Sequence, residues 1–103
     1  MPIRPSNTVN IIKRRLELLE AGEPDVLELI GLHDELSRLE RKWLIQLEEG
    51  SERRKPTDVD KLDAWFRRLQ LQIERALRAN QNTSETQHLR ETLAKIHSRP
   101  KRP

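Results

Sequence analysis

The most informative stretch of the chain is residues 59–77, VDKLDAWFRRLQLQIERAL. Its apolar residues recur at alternating steps of three and four, the spacing of one face of an α-helix. That series is Val59, Leu62, Phe66, Leu69, Ile73 and Ala76. The heptad spacing predicts a helix that begins after Pro56, ends near Asn80 and packs its apolar seam against other helices.

The same periodicity predicts three more helices, over residues 7–21, 24–49 and 84–97. Gly22 and Gly50 follow the apolar series of the first two, as glycines do at helix C-termini. No segment alternates apolar and polar residues for long enough to make a strand. The predicted fold class is all-α, a small antiparallel bundle of about four helices. Because the connections are short, we expect two α-hairpins.

The chain of 103 residues has room for one small domain. We predict a single helical domain over residues 1–97 and a basic, disordered tail over residues 98–103. Leu, Ile, Val and Phe together number 27, so the core of such a domain is marginal on its own. Oligomerisation or a larger partner would complete the bundle.

Several classes of protein are disfavoured by composition. The chain has no cysteine, which removes a disulfide scaffold, a thiolate zinc site and a cysteine nucleophile. This fits a reducing compartment, and we expect a cytoplasmic location. The longest uncharged run, residues 5–12, is far shorter than the roughly 18 residues of a membrane span. No apolar segment of a secretory signal follows Met1, and we expect no membrane partner.

Motifs of catalysis or cofactor binding are not found either. The three glycines are isolated, so no phosphate-binding loop is formed. His88 and His97 are nine residues apart, and His33 is distant, which does not match the spacing of metal ligands. No serine lies in a nucleophile elbow. We therefore expect no enzyme activity, no cofactor and no metal.

Charge is segregated along the chain, although the net charge is only +3. Residues 1–15 contain four basic groups and no acidic group, whereas residues 16–50 contain ten acidic and three basic groups. Residues 51–103 contain thirteen basic and seven acidic groups. Such a dipolar molecule is steered toward charged partners. Its acidic second helix is also complementary to the basic half of another copy.

The third predicted helix carries cations on the side opposite its seam. Leu71 projects from the middle of these cations. We call the set the arginine stripe: Lys61, Arg67, Arg68, Leu71, Arg75 and Arg78. Arginine suits phosphate or carboxylate, so the stripe predicts contact with a nucleic-acid backbone or with an acidic, leucine-binding protein. A solvated face with intrahelical ion pairs is the third interpretation. With no tyrosine, base stacking is disfavoured, and any nucleic-acid binding would be independent of sequence.

The second predicted helix is apolar on two sides. Leu27, Ile30 and Ile45 form a second patch off its main face, which predicts an interface with a partner or another copy. His33 and Glu40 interrupt the main face and are predicted to be buried polar groups. Glu40 then needs a cation from the first or third helix. His33 fits a core histidine better than a catalytic base, and such a polar pair can fix helix register.

The order of a first helix, an Ala21–Gly22–Glu23 turn, a long second helix and a second hairpin loosely resembles small flagellar export chaperones. It is also loosely similar to the helical small subunits of nucleic-acid-guided effector complexes. No functional residue is transferred from either family. The predicted function is a non-enzymatic helical protein-interaction module: an adaptor, a chaperone or an assembly subunit. The alternative is a small basic helical subunit that binds nucleic-acid backbone.

Overall fold

A computed structural model describes residues 6–23, 25–52, 54–79 and 84–99. These residues form four α-helices and, within those ranges, no strand. The helices are α1 (Ser6–Ala21), α2 (Val26–Glu48), α3 (Pro56–Ala79) and α4 (Ser84–His97). The prediction of an all-α bundle of four helices is confirmed.

The start of α2 differs from the prediction, which placed it at Pro24. The helix begins at Val26, and Asp25 caps it with an extended backbone. A carboxylate oxygen of Asp25 accepts a hydrogen bond from the backbone N–H of Leu27 at 3.1 Å. That bond satisfies a donor that the first turn of a helix leaves open. At the other end Gly50 has a φ of 72°, a left-handed conformation that glycine adopts without steric cost.

The connection between α2 and α3 is fixed by Arg54. Its Nε donates to Oε1 of Gln46 at 3.0 Å, and its guanidinium lies 4.1 Å from the ring centre of Trp43. Its Nη1 also donates to Asp58 at 3.2 Å. Asp58 accepts the backbone N–H of Lys55 at 3.0 Å, which lowers the pKa of the carboxyl group. These contacts join the end of one long helix to the start of the next.

Helices α2 and α3 form the central pair of the bundle. Both α1 and α4 contact each member of this pair, whereas among the described residues no Cα atoms of α1 and α4 lie within 8 Å of each other. They therefore occupy separate sides of the central pair. The core comes from all four helices, and the largest buried side chains in it are Trp43, Trp65 and Phe66. None of the helices in the described ranges combines the length and hydrophobicity of a membrane span.

The end of α4 modifies the predicted division of the chain. The boundary between a domain at 1–97 and a tail at 98–103 stays a prediction, and residues 100–103 lie outside the described residues. Arg99, however, lies against the bundle, and its side chain is only 17% exposed. The last described residue is therefore part of the packed structure.

Candidate functional site

Only some residues of the arginine stripe of α3 form hydrogen bonds to α1 and its C-terminal end, and the others face outward. Arg68 forms a two-pronged ion pair with Glu20 of α1, in which Nε donates to Oε2 at 2.9 Å and Nη2 donates to Oε1. These hydrogen bonds lower the pKa of the Glu20 carboxyl group. Two-pronged arginine–carboxylate pairs fix geometry as well as charge. Arg68 thus connects the two helices.

Arg75 makes a second connection to α1. Its Nη2 donates to the backbone carbonyl of Gly22 at 2.8 Å, and its Nη1 donates to Oε1 of Gln72 at 3.1 Å. The carbonyls at the C-terminus of a helix lack partners within the helix and carry partial negative charge. A cation placed there is stabilising, so Arg75 holds the end of α1.

The other members of the stripe face outward. Leu71 is 56% exposed, and Arg67 and Arg78 are exposed beside it. The arginines lie four residues before and seven residues after Leu71, which places all three on one side of α3 over about 17 Å. We call Arg67, Leu71 and Arg78 the outer α3 face. Lys61 is also exposed, with its Nζ 4.0 Å from the carboxylate of Asp58.

The second apolar patch predicted on α2 is exposed at two of its three positions. Leu27 is 77% exposed and Ile45 is 53% exposed. Ile30 is half-buried and packs against the core, so it belongs to the margin of the core rather than to the exposed patch. The spacing of apolar residues alone could not separate these two cases, because Ile30 lies only about 60° around the helix from Leu27.

Helix α1 exposes two apolar residues that the sequence analysis did not single out. Ile11 and Leu18 are both more than half exposed, and their separation of seven residues places them on one side of the helix. This separation of seven residues could have indicated the exposed pair from the sequence alone. Between α1 and α2 lies an open groove of about 360 Å³, lined by Ile12, Glu35, Arg38, Leu39 and Lys42.

Glu40 lies in a polar cluster at the junction of α2, α3 and the end of α4. Its side chain is 15% exposed, and it accepts hydrogen bonds from Nε of Arg99, at 3.4 Å, and from Nη2. Nη2 of Arg99 also donates to Asp63 at 2.7 Å, and the guanidinium lies 3.7 Å from the ring centre of Phe66. The cation that Glu40 needs is thus Arg99, which follows α4 in the chain. The prediction that the first or third helix supplies it was wrong. Arg15 instead bridges other carboxylates of α2, Glu28 and Glu35.

Arg99 was missed as the partner because the sequence places it in a basic terminal run, which is typical of a solvated tail. No periodic pattern indicates that residue 99 continues along the bundle. Burial acts to lower the pKa of Arg99, but hydrogen bonds to Glu40 and Asp63 outweigh it and raise the pKa. The guanidinium is therefore charged and neutralises the carboxylates that surround it.

His33 is buried in the core, with 7% of its surface exposed. Its ring meets Phe66 edge to face, with ring centres 6.0 Å apart, and its Nδ1 lies 3.9 Å from a carboxylate oxygen of Asp34. Burial lowers the pKa of His33, and the cations Lys95 and Arg99 lower it further, while Asp34 opposes this shift. His33 therefore remains neutral at pH 7, as a core residue.

The burial of His33 predicts a loss of stability on mild acidification. Its pKa lies below the unfolded-state value of about 6.5, so the unfolded chain takes up the proton first as pH falls. The unfolding free energy should then decrease from about pH 6.5 downward, and the loss should level off below the folded-state pKa. Urea titrations between about pH 7 and 5.5 should show a steeper decrease for the wild type than for His33→Gln. Equal slopes would contradict this prediction.

The described residues contain no group of three or more His, Cys, Asp or Glu side chains arranged to hold a metal ion. The surfaces that distinguish the structure are instead the outer α3 face and the exposed apolar residues of α1 and α2. No known family model, curated protein or solved structure matches the chain.

Proposed function

We propose that this chain is a non-enzymatic helical interaction module that binds a partner protein through the outer α3 face. One observation carries the proposal: Leu71 is 56% exposed on α3, with exposed Arg67 and Arg78 on either side. A large apolar side chain that can enter a pocket supplies binding energy by leaving water. Arginines around it supply orientation and partner choice.

The chemistry of the partner follows from this arrangement. Interface hot spots are enriched in arginine and exclude water at their centre, and the outer α3 face combines two arginines with an apolar residue that can leave water. The fitting partner presents an apolar pocket bordered by carboxylates. Within the proposal the module acts in the cytoplasm, needs no cofactor, and folds as two antiparallel α-hairpins.

Nucleic-acid binding is the second candidate, because cations follow one side of α3 for most of its length. The contacts of the stripe favour the protein partner. Arg68 is paired with Glu20 and Arg75 with the carbonyl of Gly22, so their charge is partly used within the chain. A phosphate backbone also gives Leu71 no role.

The proposal predicts that Leu71→Ala weakens partner binding by about tenfold or more, which is about 1.4 kcal/mol. The partner is first recovered by affinity purification at low salt after nuclease treatment, then purified and titrated against each variant by calorimetry. Leu18→Ala is the matched control, because Leu18, at 64% exposure, is at least as exposed as Leu71 but lies on α1. Its affinity should equal that of the wild type.

The arginines separate the two candidates. Arg67→Gln with Arg78→Gln should weaken the protein complex and make its affinity less dependent on salt. Labelled single- and double-stranded oligonucleotides test the alternative directly. If they bind the wild type, lose affinity in the double arginine variant and bind Leu71→Ala normally, the nucleic-acid function replaces the proposed one. A partner complex that is unaffected by Leu71→Ala also contradicts the proposal.

A further inference from the structure

The outward side of α2 carries two exposed apolar residues at a notable separation. Leu27 and Ile45 are 18 residues apart, which is five full turns of an α-helix. They therefore point in the same direction from the helix axis, about 27 Å apart. Leu27 is the most exposed of the large apolar residues in the described part of the chain. This side of α2 is not covered by another described helix at either position.

Between these residues the same side of α2 carries exposed charges of both signs, Asp34, Arg38 and Arg41. Asp34 and Arg38 are exposed and are centred on residue 36, which is also the midpoint between Leu27 and Ile45. A half-turn about an axis perpendicular to α2 at residue 36 exchanges the positions of Leu27 and Ile45. The same rotation exchanges the positions of Asp34 and Arg38. An antiparallel second copy would thus bring Leu27 against Ile45 of the second copy and Asp34 against Arg38 of the second copy. Each contact would occur twice, as in an isologous interface.

The charges on this side are available for such contacts. The side chain of Asp34 is 59% exposed, and its ion-pair contact within the chain is with His33 at 3.9 Å. Since burial keeps His33 neutral, that contact does not compensate the carboxylate. Arg38 is exposed at the rim of the groove between α1 and α2. Opposite charges that meet across an interface select its register and orientation.

We propose that two copies of this chain pair through α2, antiparallel, about a twofold axis near residue 36. The pairing uses no residue of the outer α3 face and is independent of the partner site proposed there. A stable dimer buries about 800 Å² per subunit, more than one side of a single helix supplies. The dimer is therefore weak and forms at high protein concentration.

A charge swap tests the pairing by sedimentation equilibrium over a range of protein concentrations. The wild type should dimerise, and Asp34→Arg or Arg38→Asp alone should weaken association about tenfold, because each places like charges opposite one another. The double variant Asp34→Arg with Arg38→Asp exchanges the charges and should restore association. Circular dichroism verifies that each variant is helical. A monomeric wild type at the highest soluble concentration, or a double variant that fails to recover, would overturn the proposal.

Disulfide cross-linking tests the register of the two helices. Because the chain has no native cysteine, the introduced cysteines are the only thiols that can react. A mixture of Leu27→Cys and Ile45→Cys chains should form a disulfide-linked dimer on oxidation, since these positions face each other. Each single variant alone is the matched control, because its two cysteines would lie about 27 Å apart. Efficient cross-linking of either single variant would establish a different pairing and refute this one. If the copies do not associate and α2 binds another protein, the face serves that partner instead and the dimer is excluded.

Discussion

Replacing Arg99 with alanine is expected to lower the free energy of unfolding by about 2–4 kcal/mol. The substitution removes a guanidinium that pairs with Glu40 and Asp63 and lies over the ring of Phe66. Breaking a partly buried ion pair from one side is costly, because the Glu40 carboxylate that remains is only 15% exposed and recovers little hydration. Chemical denaturation of wild type and variant measures the difference.

Two controls distinguish the cluster from a general effect of charge. Arg90→Ala removes an exposed arginine of α4 and should change stability by about 0.5 kcal/mol or less. Arg99→Lys keeps the charge but loses the planar two-pronged geometry, so its stability should fall between those of alanine variant and wild type. If Arg99→Ala lowers the free energy of unfolding no more than Arg90→Ala does, Arg99 does not stabilise the folded structure as described.

Phe66→Ala should be the most damaging single substitution of the set, with a loss of about 3–5 kcal/mol. Phe66 is 1% exposed and contacts both the His33 ring and the Arg99 guanidinium. The alanine variant leaves a cavity that the surrounding helices fill only in part. For a domain whose total stability is of the order of 5–15 kcal/mol, this loss removes at least about a fifth of the unfolding free energy. Thermal melts followed by circular dichroism would show a strongly lowered midpoint.

Leu71→Ala is the matched control for the core substitution, because it shortens an apolar residue on the outward side of the same helix. Its stability should remain within about 0.5 kcal/mol of the wild type. The stability of Phe66→Leu should lie between those of Leu71→Ala and Phe66→Ala, since leucine retains most of the apolar volume. A Leu71→Ala variant as unstable as Phe66→Ala would mean that Leu71 is buried in solution.

The helices could be predicted from the sequence because each carries a repeating apolar seam. Val59, Leu62 and Leu69 are buried as the spacing of α3 predicts. Helix ends depend on single hydrogen bonds, which explains why α2 begins at Val26, after the Asp25 cap, and not at Pro24. A periodic pattern contains no information on which of several neighbouring polar residues supplies such a bond.

The candidate surfaces were only partly predictable, because periodicity shows the side of a helix but not what covers that side. Arg68 and Arg67 are adjacent in sequence, yet Arg68 pairs with Glu20 and Arg67 is exposed. That difference depends on where α1 lies, a tertiary contact across 48 residues. The partnership of Glu40 with Arg99 spans 59 residues and has no local signature.

The separation of α1 from α4 determines how the molecule can open. Because no Cα atoms of α1 and α4 lie within 8 Å of each other among the described residues, we expect that either helix can leave the central pair without displacing the other. The ion pairs of α1 use Arg15 and Arg68, whose side chains are 25% and 32% exposed, and water and salt can compete for them. Arg99, at the end of α4, is less exposed, at 17%. Local unfolding is thus expected to have two separate modes, with detachment of α1 the less costly of the two.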